Sequence, residues 1–159
     1  MSIQVGDKIP AATFASMNDG VQSLTTDEVF ADKKVVLFSV PGAFTPTCSA
    51  QHLPGFVGKA AEFRAKGVDT IACMAVNDVF VMDAWGQSAD VGDSILMLAD
   101  GNGEFTKALG LELDGTGFGM GMRSQRFALV AENGKITALH IEAPGEFKVS
   151  AAEAVLEVL

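Results

Sequence analysis

Apolar residues along the chain fall into short runs that alternate between strand-like and helix-like spacing. Residues 34–40 (KVVLFSV) form a β-branched, nearly uninterrupted apolar run, which is typical of a strand buried on both faces of a sheet. Residues 68–76 and 94–98 have the same character. Between these runs, residues 52–65 and 78–87 carry apolar residues at helical spacing. This βαβαβ alternation predicts a parallel sheet covered by helices.

The second half of the chain has a different pattern. Residues 126–131 and 135–141 are apolar runs on either side of Asn-Gly at 133–134, which is a strong signal for a β-hairpin. Residues 150–153 (SAAE) match a capping box and predict a last helix that runs to the C-terminus. Together these elements predict an α/β, thioredoxin-like fold with a central mixed sheet, flanking helices and an N-terminal extension.

Length and composition favour one soluble domain. The 159 residues can bury a sizeable core but are too few for two ordinary domains, so a single domain over residues 1–159 is expected. The apolar fraction of 48% argues against disorder, and no apolar stretch is long enough to cross a bilayer. The first residues lack the pattern of a secretory signal, so a cytoplasmic location is the default expectation. A net charge of −9 without Lys/Arg clusters argues against nucleic acid as a partner.

The segment with the clearest chemistry is residues 41–49 (PGAFTPTCS), between the first buried strand and the first helix. Thr45 can be the N-cap of that helix and Pro46 suits its first position, so that Cys48 lies in the first turn. Free backbone N–H groups and the helix dipole favour a thiolate there, which makes Cys48 a candidate nucleophile. The alternative is that Cys48 is a small buried apolar residue, as free cysteines usually are.

Three other features could carry chemistry, and each has a simpler interpretation. His52 could act as a base or tune the thiol, or it could bond to backbone or water on the helix surface. Residues 100–104 (DGNGE) are similar to the start of a calcium loop, but Phe105 and Leu111 occupy the positions that need Gly and Glu, so metal binding is rejected. Residues 115–121 (GTGFGMG) lack the spacing of a dinucleotide fingerprint and are interpreted as a mobile loop.

Several of these segments together resemble one known family. PGAFTPTCS, followed by residues 51–56 (QHLPGF), is similar to the active-site segment of the peroxiredoxin 5 family, also called type II peroxiredoxins. The similarity continues through residues 76–82, 99–106 and 123–128. It therefore covers essentially the whole chain.

The resemblance implies a thiol peroxidase that needs no metal or organic cofactor. The family's P-x-x-x-T-x-x-C motif falls on Pro41, Thr45 and Cys48. Its distant arginine falls on Arg126, a residue that the sequence alone would place in solvent. Cys48 would attack the hydroperoxide and become a sulfenic acid, Thr45 and Arg126 would hold the reacting atoms, and Pro41 would shield the site. Arg123 could orient Arg126 or an acidic neighbour, or lie in solvent.

The resemblance also implies partners. The substrate would be a hydroperoxide, and the reductant would be glutathione, glutaredoxin or thioredoxin. A homodimer is expected at an edge that contains several apolar residues, which could instead form a rim for organic hydroperoxides. These residues are Phe44, Phe118, Met120 and Met122.

Cys73 is a possible resolving residue, because some type II peroxiredoxins pair two cysteines at the separation of Cys48 and Cys73. The family's other resolving position corresponds to residues 149–150, which contain no cysteine. A thiol inside a buried strand is poorly accessible, and a disulfide needs Cα atoms within ~7 Å. We therefore expect a one-cysteine cycle in which glutathione or glutaredoxin attacks oxidised Cys48 and Cys73 packs in the core.

Two alternative functions follow from the same residues. A dithiol oxidoreductase would have a C-x-x-C pair, but residues 49–51 (SAQ) follow Cys48, which makes this class a weak alternative. A non-enzymatic redox sensor or holdase would use oxidation of Cys48 to change a binding surface. Catalytic turnover with an added thiol distinguishes an enzyme from a sensor.

Overall fold

The structure, a computed structural model, describes residues 2–159. Its strands are β1 (Thr13–Met17), β2 (Val21–Thr25), β3 (Lys34–Val40), β4 (Thr70–Ala75), β5 (Leu96–Ala99), β6 (Glu112–Asp114), β7 (Met122–Ser124), β8 (Phe127–Glu132) and β9 (Lys135–Ile141). Its α-helices are α1 (Thr26–Phe30), α2 (Leu53–Gly58), α3 (Ala60–Ala65), α4 (Val79–Ser88), α5 (Glu104–Leu109) and α6 (Ala152–Leu156).

Seven of the strands form one mixed sheet in the order β2-β1-β5-β4-β3-β8-β9, and β6 pairs with β7 in a separate ribbon. Strands β3, β4 and β5 are parallel, as the βαβαβ pattern predicts, whereas β1 and β8 join them antiparallel. The Asn-Gly hairpin is also confirmed, because Asn133 and Gly134 both have positive φ and connect β8 to β9. The α/β, thioredoxin-like prediction is confirmed, and the hairpin of β1 and β2 belongs to the N-terminal extension.

The predicted helix over residues 52–65 is divided into three parts. A π-helix covers Cys48–His52, α2 follows directly, and Lys59 leaves the helical region before α3. The N–H of Leu53 bonds to the carbonyl of Cys48, five residues back. Pro54 has no N–H with which to continue the usual ladder, so the wider turn ends where this residue enters the helix.

The capping-box prediction for the last helix was wrong. The N-cap of α6 is Ala151, which makes no side-chain cap, and the α-helix ends at Leu156 rather than at the C-terminus. The Ser150 hydroxyl instead donates to Oε2 of Glu142 at 2.6 Å. In a capping box this hydroxyl would accept from the N–H of Glu153, but by donating to a carboxylate it makes a stronger, charge-assisted hydrogen bond.

The two glycine-rich segments, residues 100–104 and 115–121, both have defined local structure. The carboxylate of Asp100, in the loop similar to a calcium site, accepts hydrogen bonds from the N–H groups of Phe105 and Thr106 and from the Thr106 hydroxyl. It therefore caps the start of α5. Residues 115–121, which the sequence predicts to be a mobile loop, contain a 3₁₀ helix at Thr116–Phe118.

Each face of the main sheet carries its own apolar core. One core packs α2, α3, α4 and α6 against the sheet and includes Phe63 and Trp85. The other packs α1 and α5 and includes Phe30 and Phe105. Cys48 lies in the first core, so the candidate nucleophile is packed among apolar side chains. No helix among residues 2–159 is long and apolar enough to span a membrane.

Candidate active site

The pairing of β3 with β8 brings the candidate residues together. The two strands are antiparallel, and Ser39 near the end of β3 lies opposite Phe127 at the start of β8. Pro41 follows the end of β3, and Arg126 precedes the start of β8. The loop that leads to Cys48 therefore leaves the sheet beside Arg126, although the two residues are far apart in sequence.

Two polar side chains contact the sulfur of Cys48, which is completely buried. Oγ1 of Thr45 is 2.8 Å from Sγ, and Nη2 of Arg126 donates to Sγ at 3.0 Å. The structure thus places both Thr45 and Arg126 within hydrogen-bond distance of the Cys48 sulfur, as the resemblance implies. Both contacts can stabilise negative charge on the sulfur.

Thr45 has one hydroxyl proton and two nearby acceptors. Its oxygen is 2.7 Å from the carbonyl of Gly42 as well as 2.8 Å from the sulfur of Cys48. Helical conformation begins at Pro46, and the carbonyl of Thr45 accepts the Ser49 N–H at 2.9 Å. Thr45 therefore stands at the N-cap, but its hydroxyl contacts the sulfur instead of capping a backbone N–H. A rotation of this hydroxyl can direct its proton to the sulfur or to a bound substrate.

The positive charge of Arg126 has no carboxylate partner in the described chain. The ion pairs within residues 2–159 are Lys59–Glu62 and Lys148–Glu146, both on the surface. The guanidinium of Arg126 instead contacts the sulfur and lies 5.8 Å from the centre of the Phe147 ring. Its charge is consequently available to a thiolate.

His52 holds the other side of this guanidinium. It is completely buried, and its Nδ1 accepts a hydrogen bond from Nη1 of Arg126 at 2.8 Å. Its Nε2 donates to the carbonyl of Ser150 at 3.0 Å, so the ring is neutral with its proton on Nε2. Burial, followed by the charge of Arg126, lowers the pKa of His52 from 6.5 to about 3. His52 is thus not on the helix surface, and it contacts Arg126 rather than the sulfur.

The buried neutral state of His52 predicts acid sensitivity of the fold. In the unfolded chain His52 gains a proton below about pH 6.5, whereas the folded protein resists protonation until about pH 3. The stability that neutral His52 contributes is therefore fully present above about pH 6.5. It is lost as the pH falls toward 3, at up to about 1.4 kcal/mol per pH unit. Urea unfolding between about pH 4 and 7 should show a steeper loss for the wild type than for His52→Asn. Equal slopes would contradict the neutral assignment.

Pro41 and Arg123 lie beside the three central residues. Pro41 lines a cleft, whereas Arg123 holds a neighbouring loop. Pro41 is half-buried and, with Thr47, lines a cleft of about 320 Å³ that reaches Arg126. Within residues 2–159, Arg123 forms no hydrogen bond or ion pair with Arg126 or with a carboxylate, so none of its three expected roles is observed. It is half-buried rather than free in solvent, and it donates to the carbonyls of Met120 and Val76. It therefore holds the loop before β7 against the end of β4.

Cys73 lies in β4, opposite Phe38 of β3, and is completely buried. Burial, together with the nearby Cys48, raises the pKa of the Cys73 thiol well above its usual 9.0. Both cysteines are free in this structure. Cys73 therefore stays protonated near neutral pH, and a protonated thiol is a poor nucleophile.

Sequence reasoning did not find three of the residues that complete the site. Phe147 packs on His52 with ring centres 5.0 Å apart, and the carbonyl of Ser150 accepts from that histidine. On the other side, Nε1 of Trp85 donates to the hydroxyl of Ser49 at 3.1 Å, next to Cys48. None of these contacts has a local sequence signal. The apolar spacing around His52 was the one sign that this histidine faces the core.

Fold and geometry together define a thioredoxin-like protein with a buried cysteine whose sulfur contacts a hydroxyl and a guanidinium. The chain matches the family model described as Redoxin over residues 4–156. It is 51% identical to Peroxiredoxin-2C of Arabidopsis thaliana in an alignment of 159 positions that covers 99% of this chain and 98% of that protein. Among solved structures it is similar to reduced Prx3 of Vibrio vulnificus in complex with H₂O₂, with a TM-score of 0.94, 53% identity and 98% coverage of each chain.

A second structural relative is peroxiredoxin 5 of Alvinella pompejana, with a TM-score of 0.86, 40% identity, and coverage of 98% of this chain and 96% of that one. The chain therefore belongs to the redoxin family and, within it, to the type II or peroxiredoxin 5 group. The resemblance stated from the sequence motifs is confirmed. Membership of this group supports thiol-dependent peroxidase activity.

Proposed function

We propose that the protein reduces hydrogen peroxide and organic hydroperoxides through a sulfenic acid on Cys48, which glutathione or glutaredoxin then reduces. The observation that carries this proposal is the pair of donors on one buried sulfur. Thr45 and Arg126 contact Sγ at 2.8 and 3.0 Å, and no carboxylate in the described chain forms an ion pair with the arginine. Preorganised donors of this kind stabilise charge as it moves from sulfur to oxygen.

The first chemical step transfers one oxygen atom. The thiolate of Cys48 attacks the terminal oxygen of ROOH, an S–O bond forms, and the O–O bond breaks. The electron pair leaves on RO⁻, which takes a proton and departs as ROH, or as water when the substrate is H₂O₂. Arg126 and Thr45 can hold the two peroxide oxygens during this exchange, while Pro41 limits access from the cleft. Cys48 remains as the sulfenic acid.

The return step needs two external thiols. One thiol condenses with the sulfenic acid to give a mixed disulfide and water, and a second thiol releases Cys48 as the thiolate with formation of a disulfide. We propose this one-cysteine route because Cys73 is buried and protonated. Since Cys48 is also buried, the turn that carries it must open before a large reductant can reach the sulfur. Breaking the Trp85–Ser49 hydrogen bond is one part of that opening.

A peroxidase assay with three alternative donors tests this cycle. We expect the wild type to turn over with glutathione and glutaredoxin, and Cys73→Ser to keep at least about half of that turnover because its thiol is not a nucleophile. Thioredoxin as the sole effective donor would contradict the proposed reductant. Loss of turnover in a folded Cys73→Ser protein that still forms the sulfenic acid would make Cys73 the resolving residue. One stoichiometric oxidation without turnover would indicate a sensor.

We also propose that the protein is a homodimer that uses the edge formed by the loops around Phe44 and Phe118. Phe118 is 86% exposed and Phe44 is 52% exposed, and Met122 nearby in sequence is 55% exposed. Exposed apolar groups of this size favour association. Phe44 also has a positive φ of 64°, which is uncommon for an aromatic residue.

Sedimentation velocity tests the dimer. We expect the wild type to sediment as a dimer of the 16.6 kDa chain and Phe118→Asp to shift toward the monomer, since a buried charge at an interface is costly. The control is Val21→Asp, a 54% exposed apolar residue on the edge strand β2. A monomeric wild type would overturn the proposal.

A further inference from the structure

Glu142 is a buried carboxylate that the peroxide chemistry does not use. It follows the end of β9, and its backbone N–H donates to the carbonyl of Arg126 at 3.0 Å. Its side chain is only 7% exposed, yet it forms no ion pair with Arg126 within 4.0 Å in the described chain. A buried carboxylate needs partners, so its hydrogen bonds indicate what it holds.

The groups that donate to the Glu142 carboxylate lie in the irregular segment of residues 142–150. A single oxygen, Oε2, accepts from the N–H of Lys148 at 2.7 Å, from the N–H of Ser150 at 2.8 Å and from the Ser150 hydroxyl at 2.6 Å. Burial by itself raises the pKa of Glu142, but these hydrogen bonds, led by those of Ser150, lower it below 4.5. The carboxylate is consequently charged at neutral pH and closes the segment into a loop.

The closed segment contacts the candidate active site at two points. The carbonyl of Ser150 accepts from Nε2 of His52 at 3.0 Å, and the ring of Phe147 packs on His52 and lies 5.8 Å from the guanidinium of Arg126. The Ser150 carbonyl keeps the histidine proton on Nε2. This leaves Nδ1 of His52 as the acceptor for Nη1 of Arg126, while Nη2 of the same arginine contacts the sulfur.

We infer that Glu142 is a positioning residue for the peroxide-reducing site, because its carboxylate holds the 142–150 segment so that Ser150 and His52 fix Arg126 against Cys48. This role rests on the proposed peroxidase function. The connection runs from Oε2 through Ser150, His52 and Arg126 to Sγ. If the segment is released, His52 can turn, and Arg126 loses one of the two contacts that set its direction.

Two conservative variants separate the reach of the Glu142 side chain from its charge. Glu142→Asp keeps the charge but withdraws the oxygen from its three donors, whereas Glu142→Gln keeps the reach without the charge. The rate of sulfenic acid formation can be measured with H₂O₂ by stopped-flow fluorescence of Trp85. We expect Glu142→Asp to be at least about tenfold slower, since small misplacement of a catalytic group is costly. Glu142→Gln should stay within about threefold of the wild type.

The control is Glu146→Asp, which shortens a carboxylate of the same segment whose partner is Lys148 on the surface. We expect the wild-type rate. A second variant, Ser150→Ala, keeps the carbonyl but loses the 2.6 Å hydroxyl donor, and should be slowed about fivefold, more than Glu142→Gln. The rate of Ser150→Ala then decides whether the Glu142–Ser150 contact matters if Glu142→Asp does not fold.

A second readout does not depend on peroxide chemistry. The pH profile of Cys48 alkylation by iodoacetamide should move to higher pH in Glu142→Asp and stay unchanged in Glu146→Asp, because a displaced guanidinium stabilises the thiolate less. Wild-type rates and profiles in Glu142→Asp, or a defect in Glu142→Gln alone, would overturn the inference. If the wild type reduces no peroxide, the proposed function fails, while the alkylation profiles still decide the role of Glu142.

Discussion

The Cys48→Ser variant is expected to fold normally and to reduce no hydroperoxide above the uncatalysed rate. Serine has nearly the shape of cysteine, so the completely buried position stays filled and Thr45 and Arg126 keep an acceptor. A serine hydroxyl, however, is not ionised at neutral pH in the way that a thiol can be, and it is a far weaker nucleophile toward peroxide oxygen. The nucleophile is lost while its surroundings remain.

Peroxide consumption with a thiol donor, circular dichroism and sulfenic acid trapping check this expectation together. Cys73→Ser is the matched control, because it makes the same chemical change at a second buried cysteine. We expect trapping in the control and none in Cys48→Ser. Peroxide turnover that persists in Cys48→Ser would remove Cys48 from the mechanism and with it the proposed function.

The Arg126→Ala variant is expected to show the second-largest effect, a slowing of sulfenic acid formation by about a hundredfold to a thousandfold. The variant removes the donor to the sulfur at 3.0 Å and the positive charge that no carboxylate neutralises in the described chain. It also leaves Nδ1 of buried His52 without its donor, so some loss of stability accompanies the loss of rate.

Arg126→Lys separates charge from geometry. Lysine retains the positive charge, but its single nitrogen cannot contact Cys48 and His52 at once in the way that the two guanidinium nitrogens do. We expect this variant to react faster than Arg126→Ala and more slowly than the wild type. Single-turnover oxidation by H₂O₂ measures the step directly, without a reductant. Wild-type rates in both variants would show that Arg126 only packs beside the sulfur.

Local signals in the sequence were enough to place the candidate nucleophile in the first turn of a helix and to predict much of the sheet. The apolar run of β3 ends at Val40, Pro46 begins the helical turn that contains Cys48, and Asn133 and Gly134 make the hairpin of β8 and β9. Each of these features depends on residues that lie within one or two turns of one another. Backbone preferences and side-chain spacing act at that range, so they can be read without knowledge of the rest of the fold.

The surroundings of the sulfur depended on contacts between distant parts of the chain. Arg126 reaches Cys48 because β8 pairs antiparallel with β3, and the choice of neighbours in a sheet is not encoded by either strand alone. The placement of Arg126 beside Cys48 was therefore expected only from the family resemblance. His52 was expected on a helix surface or near the thiol, but the packing of helix and sheet encloses it beside the arginine.

At Ser150 the tertiary contacts override the local sequence pattern. Its local sequence is a capping box, yet its hydroxyl and N–H bond to Glu142, eight residues earlier, and its carbonyl holds His52, 98 residues earlier. The buried carboxylate of Glu142 accepts the Ser150 N–H that a capping box would direct to the Glu153 side chain. A buried carboxylate without partners costs more free energy than an exposed helix end, whose N–H groups can bond to water. Local sequence determined that Cys48 lies in the first turn of a helix, and the folded chain decided which groups contact its sulfur.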